Sequence, residues 1–279
     1  MHTCNTWEER KIFINQVPFP PLLAPTDNKI YLIGSYHGFR DRIIEALPHC
    51  SFADPRLHRQ SSVAKLVHDD LTQAEQCPIA LGVFPKGKSR GVMSYVELGV
   101  SFAHGNHLII ADEDNEKDEV LRKISDLHVA TIDTAIEHLQ TYNHAPKGHN
   151  LIQRSYPAGH TGPVELGSVL ICPGYSQELQ DYVHEAQKIR PDRGFTLTQD
   201  VSRELSGMSS YDLLVAHFPE GADWNRHACL LMGAAYAHDI SILLIDEHEW
   251  RYPPLQAVAR RHCTIDGAFD YMTEVDDLN

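Results

Sequence analysis

The sequence predicts an α/β protein in which one doubly wound parallel sheet is built twice in tandem. Three observations carry that expectation. Short continuous apolar runs alternate with helical patterns, the mark of strands covered on both faces. A set of segments recurs in the same order in both halves of the chain. The stretch TYNHAPKGHNLIQRSYPAGHTGPVELG, rich in Pro, Gly, His and Asn, divides them as a linker would.

Taken in order, residues 30–33 read as a buried strand, 40–47 as a helix and 63–76 as a second helix. Residues 79–84 read as a strand, 95–104 as a helix and 107–111 as a strand. The repeat is visible by eye. KIYLIGSYHGFRDRIIEAL and GSVLICPGYSQELQDYVHEA share an apolar run, a glycine turn and a helical pattern. VELGVSFAHGNHLIIADED is echoed by CLLMGAAYAHDISILLIDEHE, which sets Gly99 on Gly233, Ala103 on Ala237 and His104 on His238. VATIDTAIEHL is echoed by HCTIDGAFDYM. The expected division is an extended arm over 1–28, a first domain over 29–142, a linker over 143–166 and a second domain over 167–279.

Composition bounds the function. At 279 residues with 42% hydrophobic residues, the chain can fill a core in two domains of ordinary size. A formal charge of −14 disfavours general affinity for nucleic acid or an anionic membrane, so any anionic ligand needs a local basic loop. No apolar run approaches the ~20 residues of a membrane helix. The opening MHTCNTWEERK has no secretory core, and the six scattered cysteines form no CxxC pair, so reduced thiols and a cytoplasmic location are expected. Eighteen histidines show no HExxH or similar spacing, and neither a metal nor a cofactor is expected.

In a doubly wound sheet, ligands lie outside the carboxyl ends of the strands. The candidates there are the turn 34–40 and the loop 85–94. In GSYHGFRDR, Gly34 and Gly38 ease the turn, Ser35 offers a hydroxyl, and Arg40 offers a two-pronged donor. The pattern is neither GxGxxG nor a Walker A loop. FPKGKSRGVMS supplies Lys86, Lys88, Ser89, Arg90, Gly91 and Ser94, a basic loop in an acidic protein. VHDDLTQAEQCPIALGVF brings Asp69 and Asp70 ahead of a strand. Glu97, in SYVELGVSFAHGNHLII, points either to water from an amphipathic helix or into a pocket where it does chemistry.

Three features in order resemble the nucleoside 2-deoxyribosyltransferase superfamily, and most closely its 2′-deoxynucleoside 5′-monophosphate N-glycosidases. They are Gly34, Ser35, Gly38 and Arg40 after a strand; Asp70 and Leu71 ahead of the next; and a Ser/Gly loop leading to Tyr95, Glu97, Leu98 and Gly99. The resemblance spans about residues 29–140. It implies a flavodoxin-like sheet and a glutamate nucleophile. Glu97 would attack the anomeric carbon and form a glycosyl ester, which water or a second base would resolve. Asp70 would act near the base and sugar hydroxyls and help protonate the departing base. Ser35, Gly38, Arg40 and one of Ser89 or Ser94 would hold the 5′-phosphate, with Tyr36 or His37 lining the pocket and His58 as a further candidate. Gly34, Arg90 and Gly91 complete the expected phosphate and sugar set. The chain departs from the family in having Pro78 where an Asp is common, and in a longer, more basic loop before Glu97, which favours a nucleotide over a nucleoside.

The second half resembles the family only weakly. Leu231 stands at the position of Glu97, Glu204 at that of Asp70, and the turn has become Cys172-Pro173-Gly174-Tyr175. Leucine cannot be a nucleophile, so this half is expected to be silent. Family members assemble as dimers or larger oligomers in which a neighbour completes each site. A tandem chain can supply that neighbour internally as a pseudo-dimer, with Trp224, Asn225, Arg226 and His227 as the residues lent; self-association of the whole chain stays open. The expected activity is N-glycosidase cleavage of (deoxy)nucleoside 5′-monophosphates. The alternatives are a nucleotide-sensing module, a deoxyribosyltransferase and an NAD-cleaving enzyme.

Overall fold

The computed structural model describes residues 13–14, 29–34, 38–57, 62–114, 118–142, 167–248 and 252–274. The expected linker 143–166, the rest of the arm, and Ser35, Tyr36, His37 and His58 lie outside these residues. The first described element is a two-residue strand, β1 (Phe13–Ile14). The first domain then runs β2 (Lys29–Gly34), α1 (Phe39–Ala46), β3 (Ser51–Ala53), α2 (Val63–Gln76), β4 (Ile79–Phe84), α3 (Val92–Ala103), β5 (His107–Asp112), α4 (Glu119–Ile124), β6 (Leu127–Val129) and α5 (Ile132–Thr141). Its strands are all parallel, in the order β3-β2-β4-β5-β6.

The second domain repeats the plan with β7 (Ser168–Ile171), α6 (Gln177–Ile189), β8 (Gly194–Leu197), α7 (Val201–Ser206), β9 (Leu213–Phe218), α8 (Arg226–Ala237), β10 (Ser241–Asp246), α9 (Pro253–Ala259), β11 (Arg260–Cys263) and α10 (Ile265–Glu274). Its five parallel strands are ordered β8-β7-β9-β10-β11. Numbered within each domain, both sheets read 2-1-3-4-5, the flavodoxin-like order. The chain is therefore two tandem flavodoxin-like domains. The N-terminal arm does not lead only into the first domain: β1 adds antiparallel to β11 and extends the second sheet.

The central strands are apolar because helices cover both their faces. All six residues of β4, β5 and β9 are buried. One apolar cluster backs the first sheet through α1 and α5, with Ile43, Ile132 and Leu139. Another backs the second sheet through α6 and α10, with Leu179, Val183 and Met272. The largest lies between the sheets and belongs to both domains, joining Tyr31, Leu71 and Val96 to Leu205, Leu230 and Val258. The two domains thus share a core, unlike the wetter contacts of domains that move independently.

Helices α3 and α8 cross at the centre of that shared core. A Cβ on Gly99 would lie 2.0 Å from the Leu230 carbonyl oxygen, and one on Gly233 would lie 2.0 Å from that of Val96. The same glycines face Ala234 N and Val100 N, both at 3.0 Å. Each contact is returned by its counterpart, the signature of a two-fold interface. The glycine pair aligned from the sequence is thus the pivot of a pseudo-dimer.

Helix α3 begins at Val92, three residues before the sequence pattern suggested. Val92 and Met93 pack against the shared core, and the Ser94 N–H bonds back to the Gly91 carbonyl. Ser94 is therefore in the helix, not in the loop before it. The five cysteines described are free thiols, with Cys77, Cys172 and Cys229 buried and Cys50 and Cys263 half-buried; burial raises the thiols. It pushes the Cys77 thiol up to about 12, so this sulfur packs and does not react.

Candidate active site

Glu97 does not face water. It lies on the second turn of α3 at 7% exposure, within a run from Ser94 to Ser101 that is buried throughout. Asp70, at 7% exposure on α2, is its charged neighbour. Two contacts set α2 against α3: the Ser101 hydroxyl (3.1 Å) and the Asn106 amide (2.6 Å) both donate to the Ala74 carbonyl, one turn beyond Asp70. Tyr31, from the middle of β2, is fully buried beside the pair.

Burial raises the Glu97 carboxyl well above its ordinary value, and the Asp70 charge raises it further. The Arg40 charge and the Tyr31 hydroxyl act in the opposite direction. The hydroxyl is close enough to favour the carboxylate, though among the described residues it meets no partner at hydrogen-bond geometry. Burial, then Glu97 and Asp70, push the Tyr31 phenol well above its usual value. Three acidic groups are thus buried together, with Arg40 the arginine coupled to them among the described residues. A site of that kind favours positive charge developing at its centre.

Arg40 serves this site differently from the role expected of it. Its Nη1 donates to the Leu32 carbonyl (2.7 Å) and to Asp54 (3.2 Å), and its Nη2 donates to the Gly34 carbonyl (2.7 Å). At 1% exposure it is built into the end of β2, where it holds the turn and lends charge to Glu97. Gly34 is held at φ +129, and a Cβ there would meet the Val83 carbonyl oxygen at 2.4 Å, so only glycine fits.

Arg90 is also committed. Its guanidinium lies 4.6 Å from the Phe84 ring centroid, donates to Asp112 at 2.7 Å, and reaches the Tyr95 hydroxyl at 3.3 Å. Ser89, Lys86 and Lys88 are exposed on the loop. What the two loops leave open is backbone. Gly38 at the start of α1 and Gly91 at the start of α3 provide no side-chain cap. Their counterparts in the second domain are capped: Ser176 accepts from Leu179 N and Asn225 from Ala228 N. Uncapped helix starts bind anions; capped ones already have their acceptor.

The other differences between the halves run the same way. By strand register, Tyr31 corresponds to Leu170, and Glu97 to Leu231, so the polar pair becomes part of the apolar core. Glu204, at the position of Asp70, accepts a short hydrogen bond from Tyr211. The loop KGKSRG becomes EGADWN, with the same left-handed glycine at its second position (Gly87 φ 67, Gly221 φ 74) but without its three cations.

The second domain does approach Glu97, though through a residue the sequence did not single out. Burial and then the Glu97 charge push the Tyr252 phenol above its usual value, so Tyr252 lies within electrostatic reach of the carboxylate. It precedes α9, which packs against α2. Trp224, Asn225, Arg226 and His227, expected to be lent to this site, line a separate cleft with Arg90. Tyr252 lies in a run of mixed composition, RYPPL, with no signal of its own. Among the described residues, no group of three or more His, Cys, Asp or Glu side chains could hold a metal ion, and no helix is long and apolar enough to cross a membrane. No family model matches the chain, and no curated protein matches it.

Proposed function

We propose that the chain is an N-glycosidase of (deoxy)nucleoside 5′-monophosphates with Glu97 as nucleophile. The observation that carries this reading is the buried Glu97–Asp70 pair, present in one half of the repeat and replaced by leucine and a tied-up glutamate in the other. Nothing in the packing of α3 needs a charge at residue 97, since α8 carries leucine at the equivalent place.

In this mechanism the pair shares a proton, because two carboxylates buried together resist double ionisation. Burial and the Asp70 charge keep that proton on Glu97 in the resting pair; the reactive form is the tautomer in which it has passed to Asp70, a form that the Arg40 charge and the Tyr31 hydroxyl favour. The Glu97 carboxylate attacks the anomeric carbon as the C–N bond breaks. The bonding pair departs with the base, which takes the Asp70 proton, and a glycosyl ester remains. Water then attacks the ester at the anomeric carbon, Asp70 takes its proton, and Glu97 is released as carboxylate. The phosphate would lie at the uncapped starts of α1 and α3, with Lys86 and Lys88 adding long-range attraction.

The test is a panel of nucleoside 5′-monophosphates, nucleosides and NAD, with free base followed by chromatography. Release from monophosphates in preference to nucleosides supports the reading. Binding without release would favour a nucleotide sensor, and release of nicotinamide from NAD alone would redirect the substrate.

Asp70→Asn sharpens the assignment. Removing the acid is expected to slow release by roughly 10²-fold. It also removes a charge that raises Glu97, so the acid limb of the kcat/KM profile should move to lower pH. A limb that stays put or moves up would separate Asp70 from the Glu97 titration.

A further inference from the structure

The second domain has a cleft of its own. A cleft of about 870 Å³ opens at the carboxyl end of β9, between the loop after that strand and the start of α8, with Arg90, Val92 and Asp118 of the first domain on its far wall. It occupies the place in the second sheet that the loop before Glu97 occupies in the first, and its volume is that of a small-molecule pocket.

Its chemistry differs from a phosphate cradle in three respects. The start of α8 is closed by the Asn225 cap, and a Cβ on Gly174 would meet the Asn225 amide nitrogen at 2.6 Å, so the turn is filled by protein. The loop has lost its cations: Lys86, Lys88 and Arg90 are matched by Glu220, Ala222 and Trp224. In place of the arginine stands an aromatic wall. Trp224 stacks on His248 at 4.2 Å and 13°, and is braced by Phe218 at 5.0 Å and Tyr252 at 5.6 Å.

One polar pair crosses the domain boundary, and His217 pairs with Glu247 at 3.0 Å within the second domain. Asp118 accepts from Val120 N and Leu121 N, from the Tyr95 hydroxyl at 3.3 Å, and pairs with His227 at 3.3 Å. Arg226 lies 5.9 Å from the Tyr95 ring centroid. Donors and acceptors thus surround a flat aromatic wall with no excess of positive charge. That combination recognises a neutral planar heteroaromatic ring by stacking and edge hydrogen bonds.

We propose that this cleft binds a neutral heteroaromatic molecule, a nucleobase or nucleoside, and discriminates against its phosphorylated form. The cleft's lining includes neither Glu97 nor Asp70, and the proposal does not require Glu97 to be a nucleophile.

The experiment is tryptophan-fluorescence and calorimetric titration with adenine, guanine, cytosine, uracil and their nucleosides. The matching 5′-monophosphates are titrated into Glu97→Gln protein so that no base is released. Binding of at least one base or nucleoside, at least tenfold tighter than its monophosphate, is expected. Trp224→Ala should weaken it by about 10-fold or more. Trp224→Phe, which keeps a ring and guards against an unfolded alanine variant, should retain binding but lose the fluorescence change. Absence of binding by every base and nucleoside, a fluorescence change that survives Trp224→Phe, or equal affinity for the monophosphate overturns the proposal. Base release from monophosphates plays no part in these readouts, so the two proposals can fail independently.

Discussion

Glu97→Gln is expected to lose base release by on the order of 10⁴-fold or more, and to melt at a higher temperature than the parent protein. The two effects have one cause. Burial and the neighbouring Asp70 hold the Glu97 carboxyl above its ordinary value, so ionising it in the folded protein costs more than in the unfolded chain. Such a group binds more protons folded than unfolded between its two titration points. Stability is fully present at low pH, falls as pH rises through that window, and stays reduced above it. Glutamine keeps the shape and removes the titration. The gain should therefore be largest at neutral and alkaline pH and vanish below the ordinary carboxyl range. Each kcal/mol recovered appears as roughly 2–4 °C in melting temperature for a chain of this size. A residue kept at a stability cost is one held for function, the usual trade-off of active sites. Thermal melts of both proteins from pH 4 to 9, beside the release assay, check it. A variant that is inactive but no more stable would leave Glu97 a nucleophile candidate without its electrostatic signature. One that still releases base would remove it from the mechanism.

The parts of the molecule legible in the sequence are those whose physics is local. Strands β2, β4 and β5 are continuous apolar runs because both their faces are covered, and their positions follow to within a residue or so. The edge strands β3 and β6, three residues each and only partly buried, carry no such run. Helix α3 starts earlier than its sequence pattern suggests because Val92 and Met93 pack against a core that draws residues from both halves of the chain. The carboxylates Glu97 and Asp70 stood out by pattern, but whether they were buried depended on how α2 and α3 meet. Arg40 and Arg90 illustrate the limit most clearly. A basic residue beside a glycine turn reads as an anion ligand, yet both guanidiniums turn inward to Asp54 and Asp112. Their partners lie 14 and 22 residues away, in other elements. Tyr252 had no local pattern at all; only the crossing of the two domains brings it toward Glu97.

Under the proposed function, the repeat also accounts for how one half could lose its chemistry without losing its place. At residue 231, leucine exchanges a buried charge for an apolar side chain in the core that both domains share. That exchange relieves a desolvation cost, and burial of a leucine adds about 2 kcal/mol on the scale of apolar transfer. On the proposed reading, the second half is the one freed to stabilise, while the first keeps the costly pair. On that same reading a silent domain braces an active one, which needs a rigid junction, and the glycine crossing of α3 and α8 is the close contact that could provide it.

Gly99→Ala tests that junction. In an exposed helix, replacing glycine by alanine raises stability by about 0.5–1 kcal/mol, because glycine loses more backbone freedom on folding. Here the sign should reverse. The added methyl would lie 2.0 Å from the Leu230 carbonyl oxygen, a backbone atom with no rotamer to relieve it, and 3.0 Å from Ala234 N. The helices must separate, which strips contact from Val96, Val100, Leu230 and Ala234 along the crossing. We expect a loss of about 3 kcal/mol, at the upper end of overpacking penalties, or roughly 6–12 °C in melting temperature. Gly233→Ala should cost a similar amount, because the contact is reciprocal across the pseudo-two-fold axis. The double variant should cost less than the sum, since the first separation already makes room for the second methyl. Urea denaturation of the three proteins measures all of this. An unchanged or raised midpoint for Gly99→Ala would mean that α3 and α8 do not touch, and a pseudo-dimer whose two halves do not touch at their axis cannot hold Glu97 in the site proposed for it.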